Sequence, residues 1–360
     1  MGNKYITKIE TPKEITERLR EKIWRRSHSL KSVETFDDSM KSFEKFLSQK
    51  NCTYSECLQN PIQALDDFGA WLDANHSPST IRTYVHFAKK SLKFLGAQID
   101  NESFREKVTM PKKRPFQDDK VTKEQIRRIV FGLKHLGLKT LLMLIKDTQA
   151  RPGELLGLRV SDFNVTHDPS YLNIPAERSK NDMPRELFFT QETKELLVSF
   201  IENQSKKQSD FLYLPKDTDS VDEMAFQKKI DGTANTFGRT FRELISRPQF
   251  ADMRQTVQTR GMTRYKIHIY SFKKFAFTVM ADELGEIAAR AIKGDMEYVL
   301  TYYRKSREER ATDYRRAIPK LSVFGSDEKY MVRDQIAAKI KSMKDDDLAR
   351  LQKFLKTAKA

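Results

Sequence analysis

Cysteine is nearly absent from this sequence. Cys52 and Cys57 are the only two, and a C-x4-C spacing without companion ligands supports neither a disulfide framework nor a zinc site. Both are expected as reduced, structural thiols. No apolar run approaches the roughly 20 residues that a membrane span needs. The opening stretch MGNKYITKIETPKE has no apolar core of the kind a signal peptide carries, and Ile6 stands where an N-myristoylation signal has Ser or Thr. A soluble, cytoplasmic chain with no membrane partner is expected. Acidic residues are the minority charge: 66 Lys and Arg face 50 Asp and Glu, a net charge of +16. Such an excess points to a polyanion, because clustered Lys and Arg release counterions when they neutralise phosphates. Nucleic acid is the expected partner.

The 360 residues exceed one typical core and favour two domains. Phe36, Met40, Phe43 and Leu47 recur at helical spacing, with Asp37 and Asp38 in the first turn. A second helix is expected over Pro61 to Leu72. A third starts at Ser77-Pro78-Ser79-Thr80 and carries a stripe of Ile81, Tyr84, Val85, Ala88, Leu92 and Leu95. Arg82, Lys89, Lys90 and Lys93 lie mostly off that stripe, so one face packs and another is basic. The stretch VTMPKKRPFQDDK holds two prolines and the triplet Lys112-Lys113-Arg114, and reads as an exposed linker. Thr122 with Gln125 then forms a capping box that opens a new helix at about Lys123.

Strand character appears at Tyr171 to Ile174 and at Glu186 to Phe189, a β-hairpin with Lys180 near its tip. Helical patterns resume at about Thr190 and dominate to the end, closing on an amphipathic segment that holds Met331, Ile336, Ile340, Leu348 and Leu355. The expected division is an N-terminal extension over 1–26, a helical domain over 27–110, a basic linker over 111–121, a second domain over 122–325 and a C-terminal amphipathic helix over 326–360.

The most specific string is TQARPGELLGLR, from Thr148 to Arg159. Arg151 stands immediately before a Pro-Gly helix start, where a guanidinium and backbone N–H groups can meet a phosphate. With Val160-Ser161-Asp162 after it, this string resembles the first-arginine motif of the tyrosine recombinases, the phage-integrase family. SPSTIRTYVHFAKKSLKFLG is similar to the family's core-binding domain and KVTKEQIRRIV to the opening helix of its catalytic domain. The resemblance places the catalytic lysine at Lys180. Downstream, IHIYSFKKFAFT resembles the box that usually reads His-x-x-Arg, with Tyr270 at the His position and Lys273 at the Arg position; His268 is expected to be non-catalytic. Gly294-Asp295 stands where the family has Gly-His. An ionised carboxylate cannot donate a hydrogen bond to a phosphate, so Asp295 is expected to orient a neighbouring cation. MEYVLTYYRKS holds Tyr298, Tyr302 and Tyr303, and TYYRK resembles the nucleophile box of archaeal-type integrases. That register favours Tyr302, with Tyr303 as the alternative and Tyr298 as a packing residue.

The resemblance implies a mainly α protein with a small β-hairpin or sheet, a helical core-binding domain and an α+β catalytic domain. It implies a DNA-associated site-specific recombinase or integrase that breaks and rejoins DNA through a 3′-phosphotyrosine, with Arg151, Lys180, Tyr270, Lys273, Asp295 and Tyr302 at the site. DNA contacts are expected from Arg82, Lys89, Lys90, Lys112, Lys113 and Arg114. Double-stranded attachment sites and further copies of the chain, a tetramer at synapsis, are the implied partners; no cofactor and no metal are expected. Two alternatives stand beside this reading. One is DNA relaxation of the type IB topoisomerase kind, and the other is a catalytically impaired DNA-binding descendant.

Overall fold

The structure, a computed structural model, describes residues 12–112, 120–179, 183–259, 262–293 and 305–324. The chain divides into two compact units: Met1–Asp118 with Val221–Lys229 and Gln255–Lys266, and Asp119–Ser220 with Ile230–Arg254 and Ile267–Ala360. Among the described residues the protein is mostly helical with a small three-stranded antiparallel sheet, the class the sequence predicts.

The first unit is built from α1 (Pro12–Ser27), α2 (Leu30–Lys50), α3 (Tyr54–Gln59), α4 (Pro61–Asp73), α5 (Pro78–Phe94) and α6 (Asn101–Lys107). Aromatic packing holds its centre: Phe43 meets Phe68 edge-on at 5.0 Å between ring centroids, and Phe46 lies 5.4 Å from Phe68, a geometry that adds to plain area burial. Ser39 donates to the Tyr84 carbonyl at 3.1 Å and joins α2 to α5. Ser29 and Ser77 cap α2 and α5 through their side chains. The expected α2 was too short at both ends, because the capping Ser29 and the left-handed Asn51 that closes it lie outside the apolar stripe. The segment expected as an extension holds α1, which buries Leu19 and Ile23 in the same core.

The second unit contains α7 (Lys123–Gly132), α8 (Leu136–Thr148), α9 (Pro152–Leu156), β1 (Phe163–Asn164), β2 (Tyr171–Ile174), β3 (Arg185–Phe188) and α10 (Gln191–Asn203). α11 (Glu223–Ile245) is divided between the two units, β4 (Thr256–Thr259) and β5 (Met262–Tyr265) belong to the first, and α12 (Ile269–Leu284), α13 (Glu286–Lys293) and α14 (Arg307–Leu321) belong to the second. The capping box at Thr122 and Gln125 forms as the sequence predicts. The hairpin pairs Tyr171 with Phe188 and Ile174 with Arg185, so β3 begins one residue earlier than expected, and the two-residue β1 adds a third strand.

The β4–β5 hairpin corrects the expectation of helix from Thr190 onward. Thr256, Val257, Thr259 and Thr263 are β-branched, and pleated pairing suits that composition better than a helix does. The segment 326–360 lies outside the described residues.

α8 is buried over nearly its whole length because it is apolar on every side. Its polar end is neutralised internally. Lys146 lies 2.6 Å from Asp147 and 2.7 Å from Glu192 and donates to the Leu321 carbonyl at 2.9 Å. Glu192 also accepts the backbone N–H groups of Val323 and Phe324, both at 3.0 Å. One buried cluster thus fastens α8, α10 and the end of α14. Removing one partner of such a cluster strands a charge, at a cost of about 3–5 kcal/mol. Glu192→Ala should lower the unfolding free energy by about that much, whereas Glu34→Ala, at the exposed Lys31–Glu34 pair, should cost under about 1 kcal/mol. Denaturant titration of both variants checks this; equal losses would reject the role given to the cluster.

Candidate active site

Arg151 occupies the N-cap of α9 with extended backbone, immediately after the turn that ends α8. Pro152 sets the first helical φ. Because α9 is a single turn, attraction for an anion here comes from the guanidinium more than from a helix dipole.

Glu154, one turn on, holds Arg151 in two ways. Its carboxylate accepts the Arg151 backbone N–H at 2.8 Å and pairs with the guanidinium at 3.0 Å. The same carboxylate pairs with Arg185 of β3 at 2.7 Å, in a site where Arg185 is 6% and Glu154 4% exposed. Burial alone would raise the Glu154 carboxyl, but the charge of Arg185 and the N–H and charge of Arg151 outweigh it and hold the carboxyl below the ordinary range. Arg151 stays 24% exposed, so it is oriented without being sealed off. β3 is the return strand of the hairpin on which Lys180 falls. Lys180 itself lies outside the described residues.

α12 brings in the second cation. His268 donates its backbone N–H to Ser271 Oγ at 3.1 Å and starts the helix. Lys273, 9% exposed, donates from Nζ to the carbonyl of Gln149. Gln149 ends α8 in a left-handed conformation with φ 58, which residues other than glycine rarely adopt. Lys273 therefore grips the turn two residues before Arg151. Tyr270 stands one turn before Lys273 and is 51% exposed.

α14 starts three residues after the segment TYYR. Ser306 and Glu309 form its capping box, and Arg307 and Arg310 both bind Glu186 of β3, Arg310 at 2.7 Å. Arg307 also lies over the Tyr171 ring at 4.7 Å. Successive residues of one strand, Arg185 and Glu186, thus serve the Arg151 turn and the start of α14. Asp295, Tyr298, Tyr302 and Tyr303 lie outside the described residues.

In the first unit Lys89 spans the Phe104 ring at 3.6 Å and donates to Asn101 at 3.1 Å. Burial first, then the charges of Lys93 and Arg105, lower its pKa. Lys90 is lowered by burial and then by Arg26 and Lys22 of α1. The basic surface of α5 is therefore extended by α1, whose contribution the sequence reading missed although Arg18, Arg20, Lys22, Arg25 and Arg26 crowd it. Arg82 donates to the Pro111 carbonyl at 3.3 Å. Lys112 is exposed, while Lys113 and Arg114 lie outside the described residues. Glu154, Arg185, Glu186 and Arg307 were also unassigned from sequence; the Arg151-to-Glu154 spacing of one helical turn was the available signal.

A family model described as the phage integrase family matches residues 119–265, which include Arg151 and end before Lys273. Tyrosine recombinase XerA of Saccharolobus solfataricus is 29% identical over 134 residues, 37% of this chain and 42% of that protein; the match spans less than half of the relative. Among solved structures, XerH site-specific recombinase bound to difH superposes with TM-score 0.52 at 14% identity, covering 83% of this chain and 82% of that one. A lambda integrase tetramer bound to a Holliday junction gives TM-score 0.51 at 14% identity, covering 83% and 81%. These two likenesses establish a shared fold.

The position of Glu154 has a pH consequence. Its folded pKa is depressed below the ordinary 4.5, so the stability its charge adds is fully present above that value and is lost as pH falls through the lower folded value. The stability advantage of the wild type over Glu154→Gln should be constant near neutrality and shrink in acid. Denaturation midpoints of both proteins across that range measure it; an advantage that grows in acid would contradict the pairing.

Proposed function

We propose, from the match of residues 119–265 to the phage integrase family, that this chain is a tyrosine recombinase of that family, a site-specific recombinase that cuts and rejoins double-stranded DNA. The observation that carries the reading is Arg151, held half-open by Glu154 beside the turn that Lys273 grips. In this reading the Tyr302 phenol attacks a backbone phosphorus, forming a 3′-phosphotyrosine and breaking the bond to the 5′ oxygen. A phenol has a reference pKa of about 10, so attack at neutral pH needs neighbouring cations and a proton acceptor. Arg151 and Lys273 stabilise the charge of the phosphorane. Lys180 protonates the leaving 5′ oxygen. Tyr270, itself half exposed, stands at the family's histidine position, and Asp295 orients a cation. A 5′ hydroxyl of the partner strand then attacks the phosphotyrosine and releases Tyr302; the phosphoester bond is conserved throughout.

DNA binding is assigned to Arg82, Lys89, Lys90 and the triplet Lys112-Lys113-Arg114, joined by Lys22 and Arg26, which crowd Lys90. Exchange between two duplexes calls for four copies at synapsis and places the working protein on DNA. The residues at positions 270, 273 and 295 favour one second reading, a DNA-binding descendant that no longer cleaves.

A nicked suicide duplex carrying the attachment site separates the two. Wild type should form a covalent adduct, Tyr302→Phe should bind the duplex and form none, and Tyr303→Phe should still form it. An adduct mapped to Tyr303 would move the nucleophile by one residue, and a wild type that binds without an adduct would establish the descendant. Lys273→Ala should slow adduct formation by about 10²–10³-fold while duplex affinity stays close to that of the wild type. An unchanged rate would remove Lys273 from the site.

A further inference from the structure

Within the first unit, and independent of the recombinase reading, the chain's only two cysteines have been brought together. Cys52 Sγ and Cys57 Sγ are 3.8 Å apart, and both are free thiols. Cys52 follows the left-handed Asn51 that closes α2 and is half-buried. Cys57 lies inside α3, 1% exposed and part of the aromatic core. Between them the Thr53–Glu56 capping box fixes the turn: Thr53 N–H donates to Glu56 at 2.7 Å and Glu56 N–H to Thr53 Oγ1 at 3.3 Å. The two sulfurs are therefore held face to face by a local motif.

We propose that Cys52 and Cys57 form a thiol modification site, which a low-molecular-weight disulfide converts into an intramolecular disulfide. The half-exposed Cys52 reacts first. Its thiolate attacks one sulfur of the oxidant, releasing one small thiol and leaving a mixed disulfide on Cys52. Cys57 then loses its proton and attacks the Cys52 sulfur, releasing the second small thiol. The two protein thiols give up two electrons and two protons, and the oxidant is reduced to two thiols.

Approach from 3.8 Å to the roughly 2.05 Å of a disulfide needs a small shift, and Cys52, outside both helices, can supply it. Burial first, then the hydrogen bond with Cys52, push the Cys57 thiol up to about 12. Cys57 is thus a poor first nucleophile but is well placed to resolve a mixed disulfide already beside it. The bond would tie the end of α2 to α3, across the turn that α3 depends on for its cap.

The test uses the full-length protein, folded, with oxidised glutathione as the probe and intact mass and free-thiol count as readouts. Wild type should lose both thiols and the mass of two hydrogens while remaining a single chain with no glutathione attached, and should regain both thiols with dithiothreitol. Cys57→Ser, or Cys57→Ala where serine is poorly accommodated in the core, should stop at a stable glutathione adduct on Cys52. Cys52→Ser should stay unmodified until denaturant exposes Cys57. Two unreacted thiols in the wild type, a persistent glutathione adduct on it, or a disulfide between two chains would each overturn the proposal.

Discussion

Glu154 presents an energetic conflict that the second unit resolves with geometry. A carboxylate that is 4% exposed has lost most of its hydration, and an isolated buried charge would protonate instead of staying ionised. Two guanidinium groups, from Arg151 and Arg185, reverse that outcome. The consequence is positional. Arg185 approaches from β3, so the carboxylate can satisfy both partners only while the hairpin and the Arg151 turn keep their places. In the proposed reaction Arg151 is a long side chain that would otherwise lose rotamer freedom on meeting a phosphate. Held by Glu154 in advance, it has less left to lose.

The same economy recurs where chain segments close on the unit. Lys146, Asp147 and Glu192 are buried together, and Glu192 reaches past the ion pair to the N–H groups of Val323 and Phe324. Glu186 plays the equivalent part at the other end of α14, between Arg307 and Arg310. α14 is thereby fixed at both ends by carboxylates from the elements around β3 and α10. A helix with few apolar residues relies on such ties more than an amphipathic one does. Tyr314 and Leu321 supply its buried contacts.

What could be read from the sequence follows the range of the interactions that decide it. The α4 and α5 stripes, the Thr122 capping box and the β2–β3 pairing are set by neighbours a few residues apart, and periodicity and capping expose them. α1 was lost because its apolar residues are embedded in a basic run that suggests an exposed tail. β4–β5 was lost because its strands are too short to show alternation above the surrounding helical pattern. The helix start after Arg151 was legible, since Pro-Gly after an arginine is a local signal. Glu154 was not assigned, although it lies in the same string, because Arg185, the partner that gives the carboxylate its position, is brought in by the hairpin from a distant part of the chain.

Position 273 shows how a substitution can change the division of labour within a site. An arginine offers a planar fork with donors for two phosphate oxygens, whereas a lysine brings one point charge with three donors on a flexible stem. Lys273 uses its ammonium on the Gln149 carbonyl, at the left-handed residue that aims the Arg151 turn. In the proposed reaction its charge therefore acts at the phosphate from a fixed point behind Arg151, and the bidentate contact falls to Arg151. Tyr270, one turn earlier on the same helix, is half exposed. The contact with Gln149 is what fixes where the Lys273 charge sits.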